Sequence, residues 1–247
     1  MKIAITTTAI LRPYILDKTL KSFENFFKGH NCTIILNIDN VGYENKEWDV
    51  FQVANRYFDK IVPNYCKTPH FGAAFKWCWE QVGSEYDYVF NLEDDWLLND
   101  KDLNIKSLIT IMNKNKNLAS LRLSYKPASG LTQKNWDRFF PYNICGYYQC
   151  LNRDRKNAGF CGHPSLITGS FVRKVTPMLY WNANPEKQFH YKEDIVNEVL
   201  KYDWGVYVTS FDMKEPLISD IGRDWISNTN FEKAGSKAFF THYRKKG

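Results

Sequence analysis

Residues 33–38 (TIILNI) are almost all apolar or β-branched. A strand with one wet face alternates polar and apolar positions, so a run like this suits a strand buried on both faces. Residues 2–8 form another β-rich run, and 86–92 (YDYVFNL) form a third strong strand. Between them Pro13 opens a helix on which Ile15, Leu20, Phe23 and Phe27 fall near one face. Residues 51–57 and 71–81 (FGAAFKWCWEQ) read as helices, with a short strand at 60–62. Farther on, 103–112 and 193–201 read as helices, and 118–124, 165–172 and 206–210 as strands. Strands alternating with helices imply an α/β fold with a mostly parallel sheet.

The chain has 247 residues, which suits one domain with elaborated loops. Residues 126–163 show no period and combine Gly, Pro, Asn, basic residues and many rings, so they read as long loops that carry function. From Pro216 onward the chain reads as polar loop, ending in Arg244-Lys245-Lys246. The net charge of +6 leaves a nucleoside diphosphate, a nucleic acid or an anionic membrane as partners. The start, MKIAITTTAILRPYIL, has no signal-like apolar run, and no window reaches the roughly 20 apolar residues of a membrane span. A cytoplasmic protein is the expectation. Cys145, Cys150 and Cys161 with His163 match no zinc module, so the six cysteines are read as thiols.

The sharpest chemical signal is Glu93-Asp94-Asp95-Trp96 directly after YDYVFNL. Three adjacent acids repel one another and resist burial, so a buried strand ending in them needs a compensating cation. In open α/β sheets ligands bind beyond the carboxyl ends of the strands. Carboxylates there can hold a hard divalent ion that also takes diphosphate oxygens. A solvated acidic turn is the plain alternative.

An acid triplet ending a strand midway through a βαβ chain resembles the DXD signature of GT-A glycosyltransferases. The NLEDDW form is similar to the EDD variant of N-acetylglucosaminyltransferase-like and family 2-like transferases. The resemblance implies a single GT-A domain over 1–247, with a nucleotide-binding half at about 1–100 and an acceptor-binding half at about 101–247. It implies Mn2+ or Mg2+ on Asp95 and Glu93, with Asp94 in support and His242 as a further ligand. It places Thr6, Thr7, Thr8 and Arg12 near the nucleotide base, and Asp39 on base or ribose. It sets the His70–Gly72 stretch beneath the nucleotide and Arg223 on the diphosphate. His190-Tyr191-Lys192-Glu193-Asp194 resembles the acid pair of inverting members, with Asp194 as the base and Glu193 beside it.

The reaction so implied moves a sugar from a nucleoside diphosphate sugar, foremost a UDP-sugar, to a hydroxyl, with inversion. Besides a glycan, the acceptor considered is a hydroxylated base in viral DNA, motivated by rings interleaved with bases in the loop 128–156. A sugar- or nucleotide-binding module without turnover is the rival of another class. A nucleotidyltransferase would open with a Gly-rich loop after the first strand, which TTTAILRP lacks.

Overall fold

The computed structural model describes residues 1–42, 46–131, 139–142, 147–150, 154–155, 159–234 and 242–247. The first half alternates strand and helix: β1 (Lys2–Leu11), α1 (Pro13–Phe27), β2 (Asn31–Gly42), α2 (Glu47–Asn55), β3 (Ile61–Cys66), α3 (Phe71–Glu80) and β4 (Tyr88–Asn91). Then come β5 (Trp96–Leu98), α4 (Ile105–Lys114), β6 (Leu118–Leu123), β7 (Phe139–Tyr142), β8 (Tyr147–Cys150), β9 (Ser165–Thr168) and α5 (Gly169–Val175). The chain continues through α6 (Pro185–Tyr191), α7 (Glu193–Val199), β10 (Asp203–Tyr207), β11 (Ile218–Asp220), α8 (Gly222–Ser227), β12 (Phe231–Ala234) and β13 (His242–Lys245).

Nine of these strands form one sheet in the order β3-β2-β1-β4-β9-β6-β10-β8-β7. The pairs β1–β2, β2–β3, β1–β4 and β6–β10 are parallel, and β8 and β9 run against the rest. Seven successive residues of β2 are buried, as a strand covered on both faces requires. On one side Phe23, Phe26 and Phe27 of α1 close on Phe90 of β4, with ring centroids 5.1–5.9 Å apart. Elsewhere α3 packs with α5 and α6, and Trp79 meets Phe160 and Phe189 edge-on. This is the expected single α/β domain with a mostly parallel sheet flanked by helices.

β1 is the point where the chain changes direction. It pairs with β2 on one side and β4 on the other, so the crossovers leave it in opposite directions and open a crevice beyond its carboxyl end.

Three expectations need correcting. Residues 165–172 are not one strand: β9 stops at Thr168 and α5 begins at Gly169. A Cβ at Gly169 would lie 2.3 Å from the Tyr86 carbonyl oxygen, so the backbone is pressed against the end of the preceding loop. Arg173 then anchors the new helix by donating to the carbonyls of Gly83 and Tyr86 at 2.9 and 3.0 Å. The segment after Pro216 is not loop alone but β11, α8, β12 and β13, held by Trp225, Phe231 and Tyr243. Within 126–163, β7 and β8 extend the sheet. Much of the acceptor and nucleic-acid reading of that region, with Cys145, lies outside the described residues. Among the described residues, Cys32, Cys66, Cys78 and Cys161 are free thiols, and no helix is long and apolar enough to cross a membrane.

Candidate active site

The crevice beyond β1 and β4 holds the acid triplet. After Asn91 the chain turns, and Thr19 of α1 donates its hydroxyl to the Asp94 carbonyl at 2.7 Å, fixing the turn. Asp94 and Asp95 are both buried. Two carboxylates in such a place need a cation, and the protein supplies Arg12. Its Nε and Nη2 donate to Asp94 at 2.8 and 2.5 Å, and Nη2 also donates to Asp95 at 2.8 Å. A planar guanidinium matches a carboxylate with two parallel bonds, which a lysine could not do. Trp225 lies beneath it, 4.9 Å from ring centre to Cζ. Burial works against the guanidinium charge, but Asp94 and Asp95 outweigh it and hold the pKa well above the ordinary value. Its Nη1 is buried with no hydrogen-bond partner.

Glu93 has no guanidinium, and the Lys233 charge relieves it only in part. Burial, then repulsion from Asp95 and Asp94, pushes its pKa well up. Burial also raises Asp95, and Arg12 only partly offsets it. Both carboxyls therefore hold a proton more tightly than a free carboxyl does.

A C-terminal strap completes the wall. β11 pairs antiparallel with β5, setting Asp220 opposite Trp96. The N–H of Ile221 donates to the Asp95 carbonyl at 2.9 Å. Next to it, a Cβ on Gly222 would fall 2.0 Å from the Asp95 carboxylate, so only glycine admits this approach. Arg223 stands at the mouth, largely exposed, its Nε 2.9 Å from Asp220. Trp225, stacked on Phe231 at 5.2 Å, and Tyr243 close the strap over Arg12.

Together these walls bound a cavity of about 550 Å³ that is also lined by Thr8, Asp39, Phe71, His163, Asn184, Glu186 and Lys233. That is a volume suited to a ligand of cofactor size. Asp39 accepts from the Asn37 side chain at 2.8 Å and from the N–H of His70 at 3.1 Å. Burial pushes its pKa up to about 6, and these donors restrain the rise. His163 sits edge-on to Tyr125 and Trp96, at 4.4 and 5.0 Å. Burial and then the Arg122 charge lower its pKa to about 4, so the ring is neutral at pH 7.

The predicted residues divide clearly. Thr8, Arg12, Asp39, Glu93, Asp94, Asp95 and Arg223 line the cavity. Thr6 and Thr7 are buried in the body of β1, away from the lining. His70 caps α3, its Nδ1 accepting from the N–H of Ala73. Gly72 does permit a close approach, but by the chain itself: a Cβ there would meet the carbonyl oxygens of Ala183 and Trp181 at 2.3 and 2.7 Å. Glu193 and Asp194 are exposed and outside the lining. Asp194 is held by Lys192 at 2.6 Å. Its slight burial would raise its pKa, but the Lys192 ammonium and the N–H of Ile195 bring it below the usual value. The acid on this side of the cavity is Glu186 instead. Its signal was in the sequence: Asn184 caps α6, accepting from the N–H of Lys187 at 3.2 Å, and Pro185 takes the first helical position. His242 pairs with Ala234 in the last hairpin, and its side chain lies outside the described residues.

The donor set suits a hard divalent ion in chemistry, since two charged carboxylates can be completed by phosphate and water oxygens. Among the described residues no three His, Cys, Asp or Glu side chains are placed to hold a metal ion, and Asp94 and one Asp95 oxygen are turned onto Arg12.

No family model and no curated protein matches the chain. Solved structures do. S. aureus TarS 1–349 in complex with UDP matches with a TM-score of 0.54 and 12% identity, over 85% of this chain and 58% of that one. A second structure of the same fragment gives 0.52 and 10%, over 84% and 60%. A structure titled simply as S. aureus TarS gives 0.54 and 12%, over 85% and 35%. The chain shares its fold with these TarS structures. The chain spans about three fifths of the TarS fragment and about a third of the longer TarS chain.

Proposed function

We propose that this protein is a metal-dependent glycosyltransferase that moves a sugar from a nucleoside diphosphate sugar, foremost a UDP-sugar, to a hydroxyl with inversion. One observation carries the reading: all three acids of the triplet line a cavity at the switch point of a sheet whose fold is shared with the UDP-bound TarS structure. The UDP bound by TarS is in keeping with it. The half at about 1–100 holds the donor through Thr8, Asp39 and the triplet, and the half at about 101–247 adds the strap and the acceptor side. In the DXD manner, Glu93 and Asp95 would hold Mn2+ or Mg2+, which neutralises charge on the leaving diphosphate when bound.

The protein's own groups do the rest. Arg12 holds Asp94 and Asp95 in place through its hydrogen bonds. Lys233 and Arg223 offer positive charge where the diphosphate departs. Glu186 takes the proton from the acceptor hydroxyl as that oxygen attacks the anomeric carbon and the bond to the diphosphate breaks. We assign the base to Glu186 rather than Asp194, because Glu186 lines the cavity and Asp194 is tied to Lys192 in solvent. The test is release of free nucleotide from a panel of UDP-, GDP- and dTDP-sugars with Mn2+, Mg2+ or excess chelator. One donor should turn over with metal and stop with chelator. A protein that neither turns over nor is thermally stabilised by any member of the panel would be a different kind of molecule.

A further inference from the structure

The loop at 179–184 joins the helical layer to the cavity wall, and it exposes two large rings. Trp181 is 60% exposed and Tyr180 58% exposed. Loose loops usually fold such rings inward, yet this loop is fastened from several directions. Buried Gln188 accepts from the N–H of Tyr180 at 2.6 Å and donates to the carbonyls of Tyr180 and Ala183 at 3.0 and 3.2 Å. Lys76 donates to the Leu179 carbonyl at 2.8 Å. The carbonyls of Trp181 and Ala183 are pressed onto Gly72, where no Cβ would fit. His70 leans on the Trp181 ring at 5.6 Å.

The position matters as much as the rigidity. Phe71, next to His70, lines the cavity, and so do Asn184 and Glu186 at the end of the same loop. The rings therefore stand on the rim, on the side of Glu186. Rigid exposed aromatics present contact area with little ordering cost on binding. Their faces take either a nucleobase or the C–H face of a sugar, and the surrounding charge chooses. Lys192 covers one face of Tyr180, 4.4 Å from its ring centre, with its charge shared with Asp194 at 2.6 Å, and Lys76 faces Glu80 at 3.7 Å. Glu186 and Glu193 add negative charge on this side. A polyanion is poorly served here, and a neutral pyranose is well served.

We infer that Trp181, with Tyr180 as its neighbour, forms an acceptor subsite on which a pyranose ring of a glycan stacks on the side of Glu186. This rests on the glycosyltransferase reading for its role in turnover, but not for the binding itself. The experiment is 15N-labelled protein observed at the indole N–H signals of its eight tryptophans, with Trp181→Phe identifying one of them. Methyl pyranosides of glucose, galactose and N-acetylglucosamine, UDP, and a short oligothymidylate are titrated separately. At least one pyranoside should move the Trp181 signal, and Trp181→Ala should weaken that pyranoside by about tenfold while UDP affinity stays unchanged. If no pyranoside moves the signal up to its solubility limit, the inference is overturned. It is equally overturned if UDP or oligothymidylate moves that signal at lower concentration than every pyranoside, which would make the rings a base platform. Failure of UDP to bind anywhere would strike the donor reading and leave the sugar titration intact.

Discussion

Two acidic segments invite the same reading in sequence and meet opposite fates in the fold. Glu93-Asp94-Asp95 ends a buried strand at the sheet's switch point, where burial raises Glu93 and Asp95 and a guanidinium from β1's end is locked against them. Glu193-Asp194 starts an exposed helix, where Lys192 and a backbone N–H lower Asp194. The first is a buried cluster facing a cavity, held in place at a cost, and the second is an exposed helix start whose acids the dipole favours. Adjacent acids acquire chemistry from the burial around them and the cavity they face. The same contrast is why we propose Glu186 on α6, rather than an acid of α7, as the base.

That reassignment predicts the largest effect. Glu186→Gln should lower kcat by about 10²- to 10⁴-fold with donor affinity little changed, the usual range for a general base. Asp194→Asn should turn over near the wild-type rate. The reverse pattern in single-turnover assays would return the role to α7. Next comes the cation. Arg12→Ala strands two buried carboxylates and should cost about 3–5 kcal/mol in urea unfolding. Lys192→Ala, which frees an exposed carboxylate, should cost no more than about 1 kcal/mol. Similar losses for both would erase the contrast between the two segments.

Gly222→Ala forces a methyl group against the Asp95 carboxylate and should cost about 1–3 kcal/mol, with donor affinity falling in parallel. The smallest effect belongs to His163. Its folded pKa is depressed to about 4, below the ordinary value of 6.5. The unfolded chain therefore binds the proton first as pH falls, and the His163 contribution to stability grows as pH rises from about 4 to about 6.5. The stability difference between wild type and His163→Gln should increase over that window. Asp39, raised to about 6, works in the opposite direction over much of it, so only the difference between variants is informative.

Much of this was legible in the residues. Strands buried on both faces wrote their position into TIILNI and YDYVFNL, and the triplet at a strand end marked the crevice. Other parts needed three dimensions. Arg12 and Asp94 are 82 positions apart, and no spacing rule pairs them, so Arg12 read as a base-site residue when its bonds are to the acids. The break at Gly169 depends on a carbonyl from Tyr86, a neighbour in space alone. The strap is built from elements of three to six residues, too short for any period to emerge. That Glu186 lines the cavity did not emerge from the residues although Asn184-Pro185 announced a helix start, because the acid pair at 193–194 drew attention by resemblance.

The most direct test of the central claim is calorimetric titration of UDP with Mn2+ into wild type, Asp95→Asn and Asp194→Asn. Asp95→Asn should lose UDP binding or weaken it by at least about tenfold, since it removes a carboxylate that faces the cavity. Asp194→Asn should bind as wild type does. Equal binding by all three proteins would contradict the account, for the triplet would then be only the buried half of an ion pair with Arg12.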